Sequence, residues 1–264
     1  SQLAELFATF TGDTQESALT AQFERLLEQY LLYGGLPRAA LTNNPEEKLA
    51  ILDDIYKTYL LRDVRSYIKN EYFIGFNKLV RLLAAQTGNL VNVNELSRET
   101  GLPYKKCEEF LFLLEQMYII KLVEPYFTNH RKTISKMKKV YFGDVGLRNM
   151  IATNFSDITL RPDNGALFEN YVYLELVRNL PPGGKINFFR TTDGVEVDFV
   201  VNRLNKIQAV ECKFRHVKNP FSLKALTNFG EMENIAERII FNRNMNATWN
   251  GTRLFQGFLA GLVK

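Results

Sequence analysis

Apolar positions recur at helical spacing over roughly the first 70 residues. In "TAQFERLLEQYLLYGG", Leu26, Leu27, Tyr30 and Leu31 fall on one side of a helix, and a glycine pair follows. The next stretch, "NNPEEKLAILDDIYKTYLLRDVRSYI", has Asn44 as a predicted N-cap, with proline at the first helical position and acids behind it. The pattern predicts that this part of the chain is helical.

From about residue 71 to 155 the pattern changes from helices to a pair of strands. "FNKLVRLLAAQ" predicts a first helix, Asn94–Thr100 a short second one, and Pro103–Met117 a third, with a tight turn at Gly101 between the last two. "MYIIKLVEPYF" and "KKVYFGD" then read as two strands. Three helices followed by a hairpin predict a winged helix-turn-helix.

The remaining residues, 156 to 264, alternate between helix and strand. "GALFENYVYLELVRNL" is a predicted helix that a Pro-Pro-Gly-Gly run ends. Strands are predicted at "KINFFRT", "VEVDFVV", "IQAVECKF" and "ERIIFN", with a helix at "SLKALTNFGEME" before the last. The order indicates an α/β domain, so we expect an α+β chain of several domains.

Composition narrows the class of protein. The 264 residues are 46% hydrophobic and 23% charged, as in globular proteins, and no apolar run approaches a membrane span of about 18 residues. Cys107 and Cys212 have no metal-binding spacing, so a reduced, cytoplasmic protein is expected. The net charge of +4 permits nucleic-acid binding without requiring it. The start, "SQLAELFATF", lacks Met and suggests a chain cut from a longer one.

Two of the predicted strands carry charges where buried strands usually carry none. Residues two apart in a strand share a face, so Glu211 and Lys213 point the same way. Pairing through a turn near residues 202–205 would place Asp198 beside Glu211. The simplest alternative is a surface hairpin whose charges face solvent.

Carboxylates on adjacent strands are suitable ligands for a small divalent cation. Mg²⁺ prefers hard oxygen ligands and binds through one or two carboxylates plus substrate phosphate. Such an ion polarises a phosphodiester and activates water, and an ammonium beside it stabilises charge on the phosphate oxygens. We therefore expect Asp198 and Glu211 to bind Mg²⁺ or Mn²⁺, with Lys213 next to the ion.

The order of these residues resembles the PD-(D/E)xK nuclease superfamily. Its core is a helix with an acid, a strand with Asp, and a strand with (Asp/Glu)-x-Lys. Over residues 165–241 the corresponding positions are Glu169 in "GALFEN", Asp198 in "GVEVDFVV", and Glu211 and Lys213 in "VECKF". The resemblance implies a restriction-endonuclease-like domain with a mixed sheet and these four catalytic residues. The superfamily also contains members that keep the fold and lose the activity.

Other phrases resemble a prokaryotic AAA-type ATPase family: "YLLYGGLPRAAL", "LDDIYKTYLLRDV", "KMKKVYFGDVGLRN" and "GALFENYVYLEL". In that family a P-loop ATPase domain precedes a helical lid, a winged helix and a nuclease-like domain. No G-x-x-x-x-G-K-[ST] occurs here, so ATP binding is expected only with a P-loop domain that this chain lacks. Arg38 could contact nucleotide from the lid, although an ordinary surface charge is the simpler interpretation.

Basic residues of the predicted winged helix are candidates for DNA contact. Groups at a helix start and on a hairpin can dock a duplex backbone with little sequence reading. The start of the third helix and the predicted wing supply these candidates: Tyr104, Lys105, Lys106, Arg131, Lys132, Lys136, Lys138 and Lys139. Winged helices also serve as protein-interaction or spacer domains, and acids follow on the same helix.

The sequence thus predicts a helical lid-like segment at 1–70, a winged helix-turn-helix at 71–155 and a nuclease-like domain at 156–264. We expect part of an ATP-dependent DNA-binding protein with a metal-dependent endodeoxyribonuclease site. The alternative is an inactive nuclease-fold module that binds DNA or a protein partner. Expected partners are DNA and the protein's own ATPase domain, with homo-oligomerisation left open and no membrane.

Overall fold

A computed structural model gives the fold in two compact units. It describes residues 18–126, 137–191, 194–204, 206–217, 226, 229 and 235–263. Within them, the helical unit consists of residues 28–122 and 137–162, and the sheet unit of residues 18–27, 123–126 and those from 163 onward. The predicted boundary near residue 70 falls inside the helical unit, and the one near 156 lies close to its end.

The described residues between 18 and 152 are mainly helical. The elements in this part are α1 (Ala18–Tyr33), α2 (Pro37–Ala40), α3 (Pro45–Ile55), a π-helix (Tyr56–Asp63), 3-10 turns (Val64–Tyr67 and Asn70–Tyr72), α4 (Phe73–Ala85), α5 (Val93–Thr100), α6 (Tyr104–Gln116), β1 (Ile120–Val123), β2 (Lys139–Phe142) and α7 (Val145–Ala152). Strands β1 and β2 form a small antiparallel sheet. The predicted order of three helices and two strands over residues 71–155 is therefore present.

Side-chain caps fix where several of these helices begin and end. Asn44 accepts a hydrogen bond from the Glu46 amide at 2.9 Å, which confirms it as the N-cap of α3. Asn92 caps α5 in the same way, accepting from the amide of Asn94 at 3.0 Å. α5 ends at Gly101, whose φ of 74° is the left-handed conformation that glycine adopts without strain.

One apolar core holds the helical unit together. Phe76, Leu79 and Leu83 of α4, Leu114 of α6 and Phe142 of β2 are all 0% exposed. Full burial of such a side chain stabilises a fold by about 1.5–3 kcal/mol. The apolar spacing of α4 and α6 is therefore that of residues facing a shared core, whereas Leu26 of the apolar pattern in α1 is 51% exposed.

Two glycine-containing phrases of the sequence, "YGG" and "FGDVG", interlock through Asp144. The Asp144 carboxylate accepts hydrogen bonds from the amides of Gly35 and Leu147, each at 2.8 Å, and so caps α7 while holding the loop after α1. The loop fits closely: a Cβ on Gly34 would lie 2.1 Å from Asp144 Oδ1, and one on Gly146 would lie 2.1 Å from the carbonyl oxygen of Tyr33. A side chain at Gly34 or Gly146 would clash with these atoms, so both positions require glycine.

Residues 147–149, the "LRN" that follows "FGDVG", cap the C-terminus of α1. The Asn149 side chain donates to the carbonyl oxygens of Leu31 and Leu32 at 2.8 and 2.9 Å. These carbonyls belong to the last turn of a helix, where intrahelical donors are missing. Arg148 and Arg161, both buried, donate to the Asn149 amide oxygen at 3.2 and 3.1 Å. These hydrogen bonds give Arg148 and Asn149 of "LRN" a structural role in the helical unit.

The sheet unit contains helix α8 (Asn164–Arg178), a six-stranded mixed sheet and a closing 3-10 helix (Gly257–Leu262). Its strands are β3 (Lys185–Arg190), β4 (Glu196–Asn202), β5 (Ile207–Cys212), β6 (Glu237–Asn242), β7 (Ala247–Trp249) and β8 (Thr252–Gln256), in the spatial order β3-β4-β5-β6-β8-β7. β5 and β6 are parallel, as are β6 and β8, and the other neighbours are antiparallel. The predicted mixed sheet is confirmed.

The middle of the sheet is buried under apolar side chains. Val197, Val200, Ala209 and Ile240 are at most 1% exposed and belong to one apolar cluster. Helix α8 packs against β4 and β5. The helix predicted at "SLKALTNFGEME" falls largely outside the described residues.

Candidate functional site

Strands β4 and β5 bring Asp198 and Glu211 to neighbouring positions. The antiparallel register runs from Asn202 with Ile207 to Phe199 with Val210, so Asp198 and Glu211 are the next positions beyond the last paired residues. Both are nearly buried, at 8% and 7% exposure. The surface-hairpin alternative, with charges facing solvent, does not describe these two carboxylates.

Two donors from the end of β5 reach this carboxylate pair. The Cys212 amide donates to Asp198 Oδ2 at 2.7 Å. The Lys213 ammonium forms an ion pair with Glu211 Oε1, as the shared-face argument predicts. Like charges directly opposite each other in a sheet are destabilising, so the lysine partly offsets the repulsion between the carboxylates.

Helix α8 adds a third carboxylate. Glu169 is half-buried, and its charge acts on Glu211 and on Cys212. Burial raises the pKa of the Glu211 carboxyl; Lys213 opposes this, and Glu169 raises it further. Burial acts to lower the pKa of Lys213, but the charges of Glu211 and Asp198 outweigh it, so that pKa is raised. The four predicted residues therefore form one electrostatic cluster.

One oxygen of this cluster has no protein donor. Glu211 Oε2 is buried and has no hydrogen-bond partner among the described residues. A buried, unpaired carboxylate oxygen is costly unless a cation or donor meets it. The donor set, two close carboxylates of hard oxygen character, therefore fits a divalent cation such as Mg²⁺.

The carboxylates do not amount to a closed metal cage. In the part of the chain that the structure describes, no three His, Cys, Asp or Glu side chains are grouped so as to hold a metal on their own. Mg²⁺ commonly takes only one or two carboxylates and keeps several waters. The predicted pair of ligands, Asp198 and Glu211, is of that open kind.

The surroundings of Cys212 keep its thiol unreactive. Burial raises the pKa of Cys212 well above its ordinary value, and the charges of Asp198 and Glu169 raise it further. A thiol held in the neutral form is a poor nucleophile and a poor metal ligand. Cys107 is also an unbridged cysteine and is buried in the helical unit.

Sequence reasoning missed two arginines at the same sheet edge. Arg215 lies just beyond β5 and is exposed, and Arg243 follows β6 directly. The Arg243 amide donates to the carbonyl oxygen of Arg215 at 3.4 Å. A parallel pairing of β5 and β6 would have predicted that Arg215 and Arg243 lie close together, because parallel strands end at the same edge of a sheet.

Two family models match the chain. Residues 24–158, just over half of it, match the family described as "Domain of unknown function (DUF8612)". The chain belongs to the DUF8612 family. Residues 164–255 match a second model, "Domain of unknown function (DUF4143)", and this match contains all four cluster residues. The DUF8612 match lies almost entirely within the helical unit's range.

Two mycobacterial proteins are similar to this DUF8612 chain. They are "Uncharacterized protein Mb2031c" of Mycobacterium bovis and "Uncharacterized protein Rv2008c" of Mycobacterium tuberculosis, each 25% identical over 214 residues. The matched region is 80% of this chain and 46% of each relative, so the chain spans about half the length of the curated relatives it matches. No solved structure matches it.

The DUF8612 region holds the predicted DNA-contact residues of α6, but their charges are partly balanced. Lys105 is exposed. Lys106 forms an ion pair with Glu109, and its ammonium lies 5.6 Å from the ring centre of Tyr72. The hydroxyl of Tyr104 is hydrogen-bonded to Glu108, which raises its pKa. Lys105 is thus the strongest phosphate-binding candidate of the three.

The predicted wing is only partly covered by the described residues. Arg131, Lys132 and Lys136 lie outside them. Lys138 is half-buried, and Lys139 is 2% exposed in β2. A side chain with the burial of Lys139 is not placed on the surface, so it is a poor candidate for a DNA phosphate.

Arg38, the predicted nucleotide contact, is on the surface of the DUF8612 region. Its side chain is 69% exposed, and its guanidinium lies 3.4 Å from the Asp54 carboxylate. The position agrees with either an ordinary surface charge or a contact to another domain. Across the described residues, no helix combines the length and the apolar character that a membrane span requires.

Proposed function

We propose that the sheet unit is a metal-dependent phosphodiesterase domain that acts on DNA. The observation that carries this proposal is the two buried carboxylates at the ends of adjacent strands, Asp198 and Glu211, one of which has an oxygen without a hydrogen-bond partner among the described residues. A fold tolerates such a pair when a bound cation compensates for it.

Each residue of the cluster has a role under this proposal. Asp198 and Glu211 would hold the cation, and Glu169 would position a water of its coordination shell. Mg²⁺ or Mn²⁺ would supply Lewis acidity to a phosphodiester and lower the pKa of a bound water. Lys213, which forms an ion pair with Glu211, would stabilise charge on the phosphate oxygens.

We further propose that the helical unit contains a winged helix-turn-helix that docks the DNA. The order of α4, α5, α6, β1 and β2 supports it, as does the Gly101 turn between α5 and α6. Lys105 would contact a backbone phosphate, together with the basic residues of the predicted wing other than the buried Lys139.

The resemblance to AAA-type ATPases leads to a proposal for the whole protein. The curated relatives are about twice as long as the region they share with this chain, which leaves room in them for another domain. We propose that ATP acts through a P-loop domain outside this chain, and that Arg38 faces it. Such a domain would couple nucleotide hydrolysis to DNA engagement.

A second candidate function is a nuclease-fold module that binds DNA or protein without cleavage. The ion pair between Lys213 and Glu211 favours it, because that pair already compensates one oxygen of the carboxylate. No three-ligand metal group is present among the described residues, which points in the same direction. The two candidates differ in whether a cation binds and whether DNA is cut.

Cleavage of DNA separates the two candidates. Purified protein is incubated with supercoiled plasmid and with labelled single-stranded and duplex oligonucleotides, in millimolar Mg²⁺ or Mn²⁺ or in EDTA. Under the proposal the wild type nicks or cuts at least one substrate only with metal, and Glu211→Gln and Asp198→Asn reduce the rate by at least 100-fold.

Lys185→Gln is the matched control. Lys185 is an exposed cation at the start of β3, paired in register with Asn202 at the opposite end of the strands. This variant should cut like the wild type. Metal-independent cutting, or equal cutting by Glu211→Gln, would assign the activity to a contaminant; no cutting of any form would leave the binding module as the function of this chain.

A further inference from the structure

The segments that follow β5 and β6 carry three cations close in sequence to the strand end that holds Glu211. Lys213 and Arg215 follow β5, and Arg243 follows β6. The two segments are tied together, because the Lys213 amide donates to the Phe241 carbonyl oxygen at 2.8 Å and the Arg243 amide to that of Arg215 at 3.4 Å. The three cations are therefore built into one edge of the sheet.

The side chain of Asn244 fixes these two segments further. It accepts from the Val217 amide at 2.8 Å and donates to the Val217 carbonyl oxygen at 3.4 Å. A side chain that satisfies both backbone groups of one residue holds the loop as a strand neighbour would. The backbone that carries Arg215 and Arg243 is therefore fixed relative to Glu211.

The Arg243 guanidinium is oriented by an aromatic stack. It lies 4.8 Å from the ring centre of Phe214, and that ring lies 5.4 Å from the ring of Phe168. Phe168 directly precedes Glu169 on α8. The stack therefore runs from the Arg243 guanidinium to the helix that carries the third carboxylate.

Charge explains why these cations would be needed. Glu169, Asp198 and Glu211 are three carboxylates, and a polyanion approaching them is repelled. Lys213, Arg215 and Arg243 match them in number. Arginine also binds phosphate through two parallel N–H groups, which lysine does not do.

We infer that Arg215 and Arg243 form a phosphate-binding rim that holds a nucleic-acid strand across the carboxylate cluster. Substrate positioning is their role: they contact the backbone phosphates that flank the one at the cation. The inference rests on the proposed phosphodiesterase function for its purpose, although strand binding itself requires no cleavage. A strand, rather than a mononucleotide, is the ligand because Arg215 and Arg243 add phosphate-binding groups beyond Lys213.

Binding without metal tests this inference separately from catalysis. Fluorescence anisotropy in EDTA measures Kd for a labelled 20-nucleotide single-stranded DNA, the same sequence as RNA, and the duplex, at several salt concentrations. Arg215→Gln and Arg243→Gln are each expected to weaken binding by about 3- to 10-fold at low salt. Each should also lower the slope of log K against log salt by about 0.7–0.9, the contribution of one phosphate contact.

Two further variants separate a phosphate contact from a packing effect. Arg243→Lys keeps the charge and should retain part of the binding and most of the salt slope. Lys185→Gln removes a cation at the opposite end of the strands and should leave Kd within 2-fold of the wild type. Circular dichroism melting checks that all variants are folded.

The outcomes are distinct from those of the cleavage experiment. Unchanged Kd and slope in both arginine variants would overturn the inference, even if the wild type cuts DNA. If Lys185→Gln weakens binding as much as the two arginine variants do, the inference is also overturned. A wild type that never cuts but binds strands through Arg215 and Arg243 would refute the phosphodiesterase and leave the rim established.

Discussion

Replacing Gly34 by alanine should destabilise the helical unit far more than the same change at Gly101. Both glycines have left-handed backbones, with φ of +75° and +74°. Alanine in that conformation costs about 1–2 kcal/mol, so this part of the penalty is common to both. The surroundings differ, because nothing lies within 4 Å of a Cβ at Gly101, whereas at Gly34 it would lie 2.1 Å from Asp144 Oδ1.

The additional loss of stability in Gly34→Ala follows from the hydrogen bonds that the Asp144 carboxylate makes in the wild type. It accepts hydrogen bonds from the Gly35 and Leu147 amides at 2.8 Å and caps α7. Losing a helix N-cap costs about 1 kcal/mol, and leaving a buried donor unpaired costs about 1–3 kcal/mol. We expect Gly101→Ala to cost about 1–2 kcal/mol and Gly34→Ala about 3–6 kcal/mol.

Urea unfolding followed by far-UV circular dichroism measures both variants at equal protein concentration. The midpoint of Gly34→Ala should be clearly lower than that of Gly101→Ala, with similar m values. Equal losses of stability in the two variants would show that only the backbone conformation matters and would refute the role given to Asp144.

Three other outcomes follow from the same contacts. Asp144→Ala should lower the free energy of unfolding by about 2–4 kcal/mol, since it removes the cap and leaves the Gly35 amide unpaired; a loss below about 0.5 kcal/mol would contradict this. Burial raises the pKa of Asp144 in the folded state, although backbone donors led by Leu147 oppose it. The stability advantage of the wild type over Asp144→Asn should therefore fall as pH rises from the unfolded-state pKa through the folded-state pKa and stay constant above it; a difference that grows with pH would reverse the assigned sign. Lys105→Gln should weaken duplex binding and reduce its salt slope, whereas Lys106→Gln should have little effect because Glu109 already pairs that ammonium; equal effects in anisotropy titrations would count against the contact.

Local patterns predicted most elements because they are set by short-range rules. Asn44 and Gly101 mark a helix start and a helix end by hydrogen bonding and by φ, and both act within a few residues. The antiparallel pairing of β4 with β5, which brings Asp198 near the end of β5, was also predictable, since a short turn fixes the register of the two strands.

Contacts between distant residues could not be read in the same way. The contact of Gly34 with Asp144 joins positions 110 residues apart in the sequence, and nothing in the sequence around either residue predicts it. The stack of Arg243 on Phe214 depends on the parallel pairing of β5 with β6, which the alternation of apolar residues does not specify. The unpaired oxygen of Glu211 follows from burial that only the complete sheet produces.

Metal binding tests the proposed site most directly. Isothermal titration calorimetry is carried out with Mn²⁺ and with Mg²⁺ on metal-free wild type, Glu211→Gln and Lys185→Gln. A cation held between Asp198 and Glu211 predicts saturable, one-site binding to the wild type and to Lys185→Gln, and a loss of at least 10-fold in affinity in Glu211→Gln. No binding by the wild type at millimolar metal, or equal binding by Glu211→Gln, would contradict the metal site.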